Sequence, residues 1–217
     1  MAQVVVFSGG PVDRAEVRAA VAGLDPAHVI AADSGLHSVL SAGLRADVVV
    51  GDMDSVAPDL LERAVADGAA TQVHPVDKDA TDLELALDLA LEVAAAGDEV
   101  VVVGSPSGRL DHLLAWACLV SSPRYRSLVV TGWLGSTRVL PVHDERTFTA
   151  PAGALVSLLA LHGPVTGVGT RGLRWSPAAG TIEASSSLGV SNRMDAERAT
   201  VIAGRGALTV VVTTEEG

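Results

Sequence analysis

Short apolar runs alternate with stretches of helical period up to about residue 130. Continuous runs of β-branched residues are typical of strands that are covered on both faces. The runs lie at residues 4–7, 28–31, 48–50, 71–73, 100–103 and 128–130. They predict the strands of a buried sheet.

A helical stripe occupies the segment between the fourth and fifth runs. Over residues 79–96, apolar side chains recur at the i, i+3, i+4 and i+7 positions of an amphipathic helix. Strand and helix in repeated order imply right-handed crossovers, and therefore a mainly parallel sheet with helices on both faces. The pattern predicts a Rossmann-like α/β domain over residues 1–135.

The pattern changes after about residue 137. Segments rich in Val, Thr, Ser and Gly lie at residues 154–161, 165–170, 200–203 and 207–213, and glycine-rich turns separate them. Long helical periods are missing from this part of the sequence. We therefore predict a smaller C-terminal domain over residues 136–217, folded as an antiparallel β-sandwich.

Composition narrows the classes of function. The 217 residues carry a formal net charge of −11 without a basic cluster, which disfavours binding to nucleic acid or to an anionic membrane surface. No apolar run reaches the ~18–20 residues that cross a bilayer, and the N-terminus lacks signal-peptide features, so we expect a cytosolic protein. The single cysteine, Cys118, is expected to be a buried thiol, and the tryptophans, Trp175 among them, to be packing residues.

Candidate chemistry follows the predicted strands. In an open parallel sheet, ligands bind beyond the carboxyl ends of the strands, and each of the first five runs is followed by glycine or aspartate. These loops contain Asp33, Asp52, Asp54, Asp79, Thr81, Asp82, Ser107, Gly108, Arg109 and Asp111. Glycine lets a phosphate approach backbone N–H groups, and aspartates can hold Mg²⁺ against phosphate oxygens. The pattern therefore predicts a metal-assisted phosphoryl-transfer site.

Each of these positions also has a purely structural explanation. Asp54 could cap the helix that runs through residue 58, and Asp79 with Asp82 has the spacing of a capping box. Asp33 could begin a turn, and Arg109 with Asp111 could form a surface ion pair. The recurrence of carboxylates at one edge of the sheet favours a shared cation, because neighbouring carboxylates repel one another without one.

Four motifs resemble, in order, those of the thiamine pyrophosphokinase family: ADSG at 32–35, GDMDS at 51–55, DATD at 79–82 and GRLDH at 108–112. Residues 170–175 (TRGLRW) and 187–192 (SLGVSN) are similar to its C-terminal signatures, whereas Ser34 and Met53 replace the usual glycine and phenylalanine. The resemblance implies an N-terminal domain that binds ATP and magnesium, and a β-sandwich that binds thiamine. It also implies a homodimer with the active site between subunits, and transfer of the β,γ-diphosphate of ATP to thiamine with release of AMP.

The resemblance implies roles for individual residues as well. The expected magnesium ligands are Asp52, Asp54 and Asp82. The expected catalytic residues are Asp82, Asp111 and Asp54. Contacts with ATP or its phosphates are expected from Asp33, Asp79, Thr81, Ser107, Gly108 and Arg109. Contacts with thiamine are expected from Ser191 and Asn192.

The chemistry itself requires the alcohol, the β-phosphorus and the leaving oxygen in line, while cations absorb the developing negative charge. Asp111, or otherwise Asp82, could accept the alcohol proton, and Arg109 or Lys78 could assist the cations. Two alternatives stay open. One is a diphosphokinase that acts on another small alcohol such as a pterin, and the other is a nucleotide-binding module without catalysis.

Overall fold

The computed structural model describes residues 1–178 and 180–214. The chain divides into two compact units. The first contains Met1–Trp116 and Ser127–Gly135, and the second contains Ala117–Arg126 and Ser136–Gly217.

The first unit is built on a parallel sheet. Its strands are β1 (Gln3–Phe7), β2 (His28–Ala32), β3 (Val48–Gly51), β4 (Ala70–Val73), β5 (Glu99–Gly104) and β6 (Val129–Leu134). They are ordered β6-β5-β1-β2-β3-β4, and each neighbouring pair is parallel. Because β1 and β5 are covered on both faces, nearly all of their residues are buried. The predicted parallel sheet is confirmed.

Helices connect the strands and cover the sheet. They are α1 (Arg14–Ala20), α2 (Leu36–Ala42), α3 (Pro58–Ala66), α4 (Asp82–Val93) and α5 (Leu110–Val120). The helix predicted over 79–96 is α4, which is shorter at both ends. It begins after Thr81, whose side chain caps it, and ends at Ala94, whose backbone is extended. Its apolar stripe, including Leu83 and Leu87, is buried as the period required.

Cys118 differs from expectation because its thiol is exposed. It lies on α5 four residues after Leu114 and eight after Leu110, which are 59% and 68% exposed. Residues spaced by four share one face of a helix, so Cys118 lies on the outward face of α5. The prediction of a buried thiol was wrong, because an apolar stretch does not by itself show which face is covered.

The second unit is antiparallel. Its strands are β7 (Thr137–Val142), β8 (Glu145–Thr149), β9 (Leu155–Leu159), β10 (Val165–Thr166), β11 (Gly169–Arg171), β12 (Thr181–Ile182), β13 (Asn192–Arg193), β14 (Arg198–Ile202) and β15 (Leu208–Thr213). One set is ordered β13-β9-β15-β7, another β11-β14-β8, and β10 pairs with β12. The strand expected over 165–170 is divided into β10 and β11 at Gly167, whose φ is +68°.

One hydrophobic core joins these sheets. Phe148 and Val201 come from one set of strands, and Val156 and Val210 come from the other. Two antiparallel sheets packed over a shared core form a sandwich, as predicted. Within the described ranges, the structure contains no helix with the length and apolarity needed to span a membrane.

Candidate functional site

Three carboxylates meet at the carboxyl edge of the parallel sheet. Asp33 directly follows β2, Asp52 directly follows the neighbouring strand β3, and Asp82 is the first residue of α4. Each contributes a carboxylate oxygen, and these oxygens lie within 4.8 Å of one another. Among the described residues, this is the group of acidic side chains that could hold a metal ion. We call Asp33, Asp52 and Asp82 the carboxylate cluster.

Gly51 makes the close approach of these side chains possible. Its φ is +147°, a conformation that side-chain-bearing residues rarely adopt. A Cβ atom at this position would lie 2.9 Å from Oδ1 of Asp82 and 3.1 Å from Cβ of Asp33. The cluster therefore closes around a position at which only glycine fits.

Asp33 is the buried member of the cluster. It is 8% exposed, and its Oδ1 finds no hydrogen-bond partner among the described residues. Burial raises the pKa of Asp33, a backbone hydrogen bond from Ser34 opposes the shift, and the charges of Asp82 and Asp52 add to it. An unpaired carboxylate oxygen beside two like charges indicates a place for a cation.

Lys78 bridges the other two carboxylates. Its Nζ donates a hydrogen bond to Oδ2 of Asp52 at 3.0 Å and lies 3.1 Å from Oδ1 of Asp82. The Lys78 hydrogen bond holds the pKa of Asp52 below its usual range. From the sequence, Lys78 is expected only to assist the cations, because its position in a loop does not reveal its partners.

The donor set fits a magnesium ion. Mg²⁺ prefers oxygen ligands and binds through a few carboxylates together with water and substrate phosphates. The carboxylate cluster supplies oxygens from three side chains. One of these side chains, Asp33, has an oxygen, Oδ1, without a hydrogen-bond partner among the described residues. No histidine or cysteine belongs to this group, within the residues that the structure describes, so a site of the zinc type is disfavoured.

Neighbouring predicted residues take other positions. Asp54 is exposed, accepts a 2.7 Å hydrogen bond from the Ser55 hydroxyl and lies outside the carboxylate cluster. It does not cap α3, whose N-cap is Ala57. Thr81 rather than Asp79 caps α4, and Asp79 is exposed. The expected metal set of Asp52, Asp54 and Asp82 thus differs from the observed cluster, in which Asp33 is the third member. Metal ligation by Asp54 stays a prediction.

The loop after β5 carries the remaining phosphate candidates. The Ser107 backbone N–H donates to Oγ of Ser105 at 3.2 Å, and Gly108 has a φ of +115°. Arg109 Nη2 donates to Oδ2 of Asp111 at 2.6 Å, and both side chains are mostly exposed. The Arg109 hydrogen bond lowers the pKa of Asp111. The pair is the surface ion pair that the sequence allowed, and its roles toward ATP stay predictions.

In the second unit, the two C-terminal motifs lie side by side. The Arg174 backbone N–H donates to the Arg193 carbonyl at 3.0 Å. Asn192 is buried, donates from Nδ2 to the Trp175 carbonyl at 2.7 Å and accepts from the Trp175 N–H at 3.1 Å. Trp175 itself is 53% exposed, so it is not the packing residue that we expected. Ser191 is exposed with a φ of +63°.

These motifs show how Asn192 acts within the fold. Its side-chain amide forms hydrogen bonds with the backbone N–H and carbonyl of Trp175. Asn192 therefore positions an exposed indole, and its amide is not free to bind a ligand. Sequence reasoning missed Trp175. The available signal was its place at the end of the TRGLRW motif, in a chain whose aromatic residues make up only 3% of the sequence.

Together, the fold and the site define an α/β protein that carries a cluster of three carboxylates at the carboxyl edge of its parallel sheet, followed along the chain by a β-sandwich. The family model "Thiamin pyrophosphokinase, catalytic domain" matches residues 25–131, and the model "Thiamin pyrophosphokinase, vitamin B1 binding domain" matches residues 143–208. The chain belongs to the thiamine pyrophosphokinase family.

Individual relatives agree with this assignment. Thiamine pyrophosphokinase of Bacillus subtilis (strain 168) is 38% identical over 85 residues, which are 39% of each chain. Thiamine pyrophosphokinase 1 of Oryza sativa subsp. japonica is 27% identical over 142 residues, 61% of this chain and 53% of the relative. The matched regions thus span less than two thirds of either relative.

Solved structures share the fold over nearly the whole chain. The crystal structure of the Bacillus subtilis thiamine pyrophosphokinase superposes with a TM-score of 0.82 at 22% identity and covers 99% of this chain and 100% of that one. The Candida albicans thiamin pyrophosphokinase gives a TM-score of 0.75 at 12% identity, with 98% and 90% covered. At these identities the likeness establishes the fold.

Proposed function

We propose that this protein is a thiamine diphosphokinase. The hydroxyl oxygen of thiamine forms a bond to the β-phosphorus of ATP, the bond from that phosphorus to the α,β-bridging oxygen breaks, and AMP leaves as the hydroxyl proton is released. The observation that carries the proposal is the carboxylate cluster, found within a chain that matches both family models in order. The vitamin B1 binding match favours thiamine over a pterin alcohol as acceptor.

We propose that Asp33, Asp52 and Asp82 hold Mg²⁺ in the α/β domain, with Asp54 as a further candidate. When bound, the ion neutralises phosphate oxygens and the charge that develops on the leaving oxygen. The cluster lies beyond the carboxyl ends of β2 and β3, where ligands of open α/β sheets bind. Asp79, Thr81 and the loop after β5 are the proposed phosphate contacts.

Arg109 and Asp111 are proposed to act on the transferred group. Arg109 offers a planar set of N–H donors suited to phosphate oxygens, so contact with ATP would release Asp111 from its ion pair. Asp111, a carboxylate that is ionised at neutral pH, would then be free to accept a hydrogen bond from the thiamine hydroxyl. Loose phosphoryl transition states depend on such positioning more than on base strength.

Thiamine is proposed to bind the sandwich domain at Trp175. The exposed indole offers a face to the cationic thiazolium or to the pyrimidine ring, and Asn192 keeps its backbone in place. The exposed Ser191, next to Asn192, is the proposed hydrogen-bonding partner. The net charge of −11 also favours the approach of a cationic acceptor.

The homodimer with its active site between subunits is implied by the resemblance alone, and the cytosolic location rests on the sequence features given above; both stay proposals. Light scattering on the purified protein tests the first. A monomer that turns over at full rate at nanomolar concentration would rule out a site shared between subunits.

Product identification tests the function. The purified protein is incubated with ATP, thiamine and MgCl₂, and the nucleotides and thiamine esters are separated by chromatography. We expect AMP and thiamine diphosphate in equal amounts, and no turnover with EDTA. ADP as the sole nucleotide product, or a pterin alcohol used in preference to thiamine, would refute the proposal. Asp82→Asn should lose most of its turnover, whereas Asp25→Asn, which removes an exposed charge before β2, should retain wild-type turnover.

A further inference from the structure

Lys78 is the only lysine in this sequence, and all the other Lys or Arg positions are arginines. It lies in the loop between β4 and α4, four residues before Asp82. Its side chain is 13% exposed and contacts two of the three carboxylates of the cluster. A chain that otherwise uses arginine thus places its one compact ammonium group within its acidic site, and the two cations are not interchangeable there.

The ammonium does not fully satisfy the cluster. Its hydrogen bond to Asp52 has good geometry, but Oδ1 of Asp82, although 3.1 Å from Nζ, is without a hydrogen bond among the described residues. Oδ1 of Asp33 is also unpartnered and buried. One positive charge therefore contacts two of the three carboxylates, and two of the buried oxygens lack a well-formed hydrogen bond among the described residues.

Such an arrangement suits replacement by a divalent cation. A magnesium ion would carry twice the charge and bind oxygens that Lys78 leaves without hydrogen bonds. It would also bind the carboxylates of Asp52 and Asp82, the same two groups that Lys78 now contacts. Two cations cannot lie between the same carboxylates at hydrogen-bonding distance without strong repulsion.

We propose that Lys78 is an internal counter-ion of the carboxylate cluster, and that a divalent cation must displace its ammonium group in order to bind. Lys78 is thus a positioning residue that keeps the carboxylates together before the metal arrives and weakens metal binding by competition. The inference rests on the proposed function for the identity of the cation. Its test requires no turnover, so the two can fail separately.

The first experiment removes the competitor. Lys78→Met keeps most of the side-chain length and lacks the charge. Calorimetric titration with MgCl₂ should show binding to Lys78→Met roughly fivefold tighter than to wild type, the lower end of typical coupling between two sites. Arg45→Met, which removes one exposed positive charge before the amino end of β3, is the matched control and should bind as wild type does. Equal or weaker binding by folded Lys78→Met would overturn the proposal.

The second experiment uses the wild-type chain and stands even if Lys78→Met fails to fold. Because the chain has one lysine, an amine-acylating reagent has two targets, Lys78 and the N-terminus, which mass spectrometry separates. At fixed pH and ionic strength, saturating MgCl₂ should accelerate acylation of Lys78 severalfold and leave the N-terminus unchanged. Asp33→Asn should weaken this response. An unchanged or slower rate at Lys78 with MgCl₂ would show that the ammonium stays in place, which would also overturn the proposal.

Discussion

Asp33→Asn offers the most direct test of the electrostatics of the carboxylate cluster. The substitution keeps the shape of the side chain, removes its charge, and suits the left-handed backbone at this position, where φ is +47° and asparagine is tolerated. It therefore separates charge from packing and from backbone strain. In the absence of a divalent cation, we expect the variant to be more stable than wild type at neutral pH.

The magnitude follows from the spacing of the carboxylates. Two unit charges at 4.8 Å, the upper limit of the separation of the cluster oxygens, repel by about 3 kcal/mol at an effective dielectric constant near 20. Lys78, which contacts Asp52 and Asp82, offsets much of the repulsion that Asp33 receives from them. In the wild type, Oδ1 of Asp33 is a buried polar atom without a partner among the described residues, which costs about 1–3 kcal/mol. Burying a neutral amide costs less free energy than burying a carboxylate. We therefore expect the free energy of unfolding of Asp33→Asn to exceed that of wild type by roughly 1–3 kcal/mol.

The pH dependence gives an internal check. Because the pKa of Asp33 is raised above the ordinary aspartate value of 3.8, its contribution to stability is fully present below that value and is lost as the pH rises through the folded-state pKa. The difference between Asp33→Asn and wild type should be largest at pH 7. It should close as the pH falls through the raised pKa toward 3.8.

Thermal unfolding in EDTA and in MgCl₂ provides the assay. A gain of 1 kcal/mol raises the midpoint by roughly 2–4 °C in a protein of this size. Magnesium should stabilise wild type but have little effect on Asp33→Asn, because the variant has lost a ligand. Asp25→Asn, which removes an exposed charge, is the control. A lower midpoint for Asp33→Asn in EDTA at pH 7, or a magnesium response equal to that of wild type, would refute this reasoning.

Three further substitutions test other parts of the site. Gly51→Ala places a Cβ 2.9 Å from Oδ1 of Asp82, so we expect a loss of about 1–3 kcal/mol in unfolding experiments and a weakened response to magnesium; an unaffected response would contradict the need for glycine. Asp82→Asn should lower kcat about 100-fold or more with a native circular dichroism spectrum, and activity near wild type would remove Asp82 from the catalytic set. Asn192→Ala leaves the Trp175 backbone unsupported, so KM for thiamine should rise while KM for ATP changes little; a parallel rise in both would contradict a role at the thiamine site.

Local pattern determined much of the fold. Strands covered on both faces require continuous apolar runs, so the runs at residues 4–7 and 100–103 located β1 and β5. The stripe on α4 likewise identified its buried face. The same logic located the carboxylates at the ends of parallel strands, because the order of strand and loop along the chain fixes which loops share an edge.

Only the tertiary structure decided which of these carboxylates meet. Asp33 and Asp54 both follow strands, yet Asp33 is buried within the cluster and Asp54 is exposed. The outcome depends on left-handed backbone conformations at Asp33 and Gly51 and on the pairing of β2 with β3. It also depends on Lys78, whose partners come from two different elements. Side-chain direction and long-range neighbours arise from dihedral angles and strand order, which the spacing of residue types does not encode.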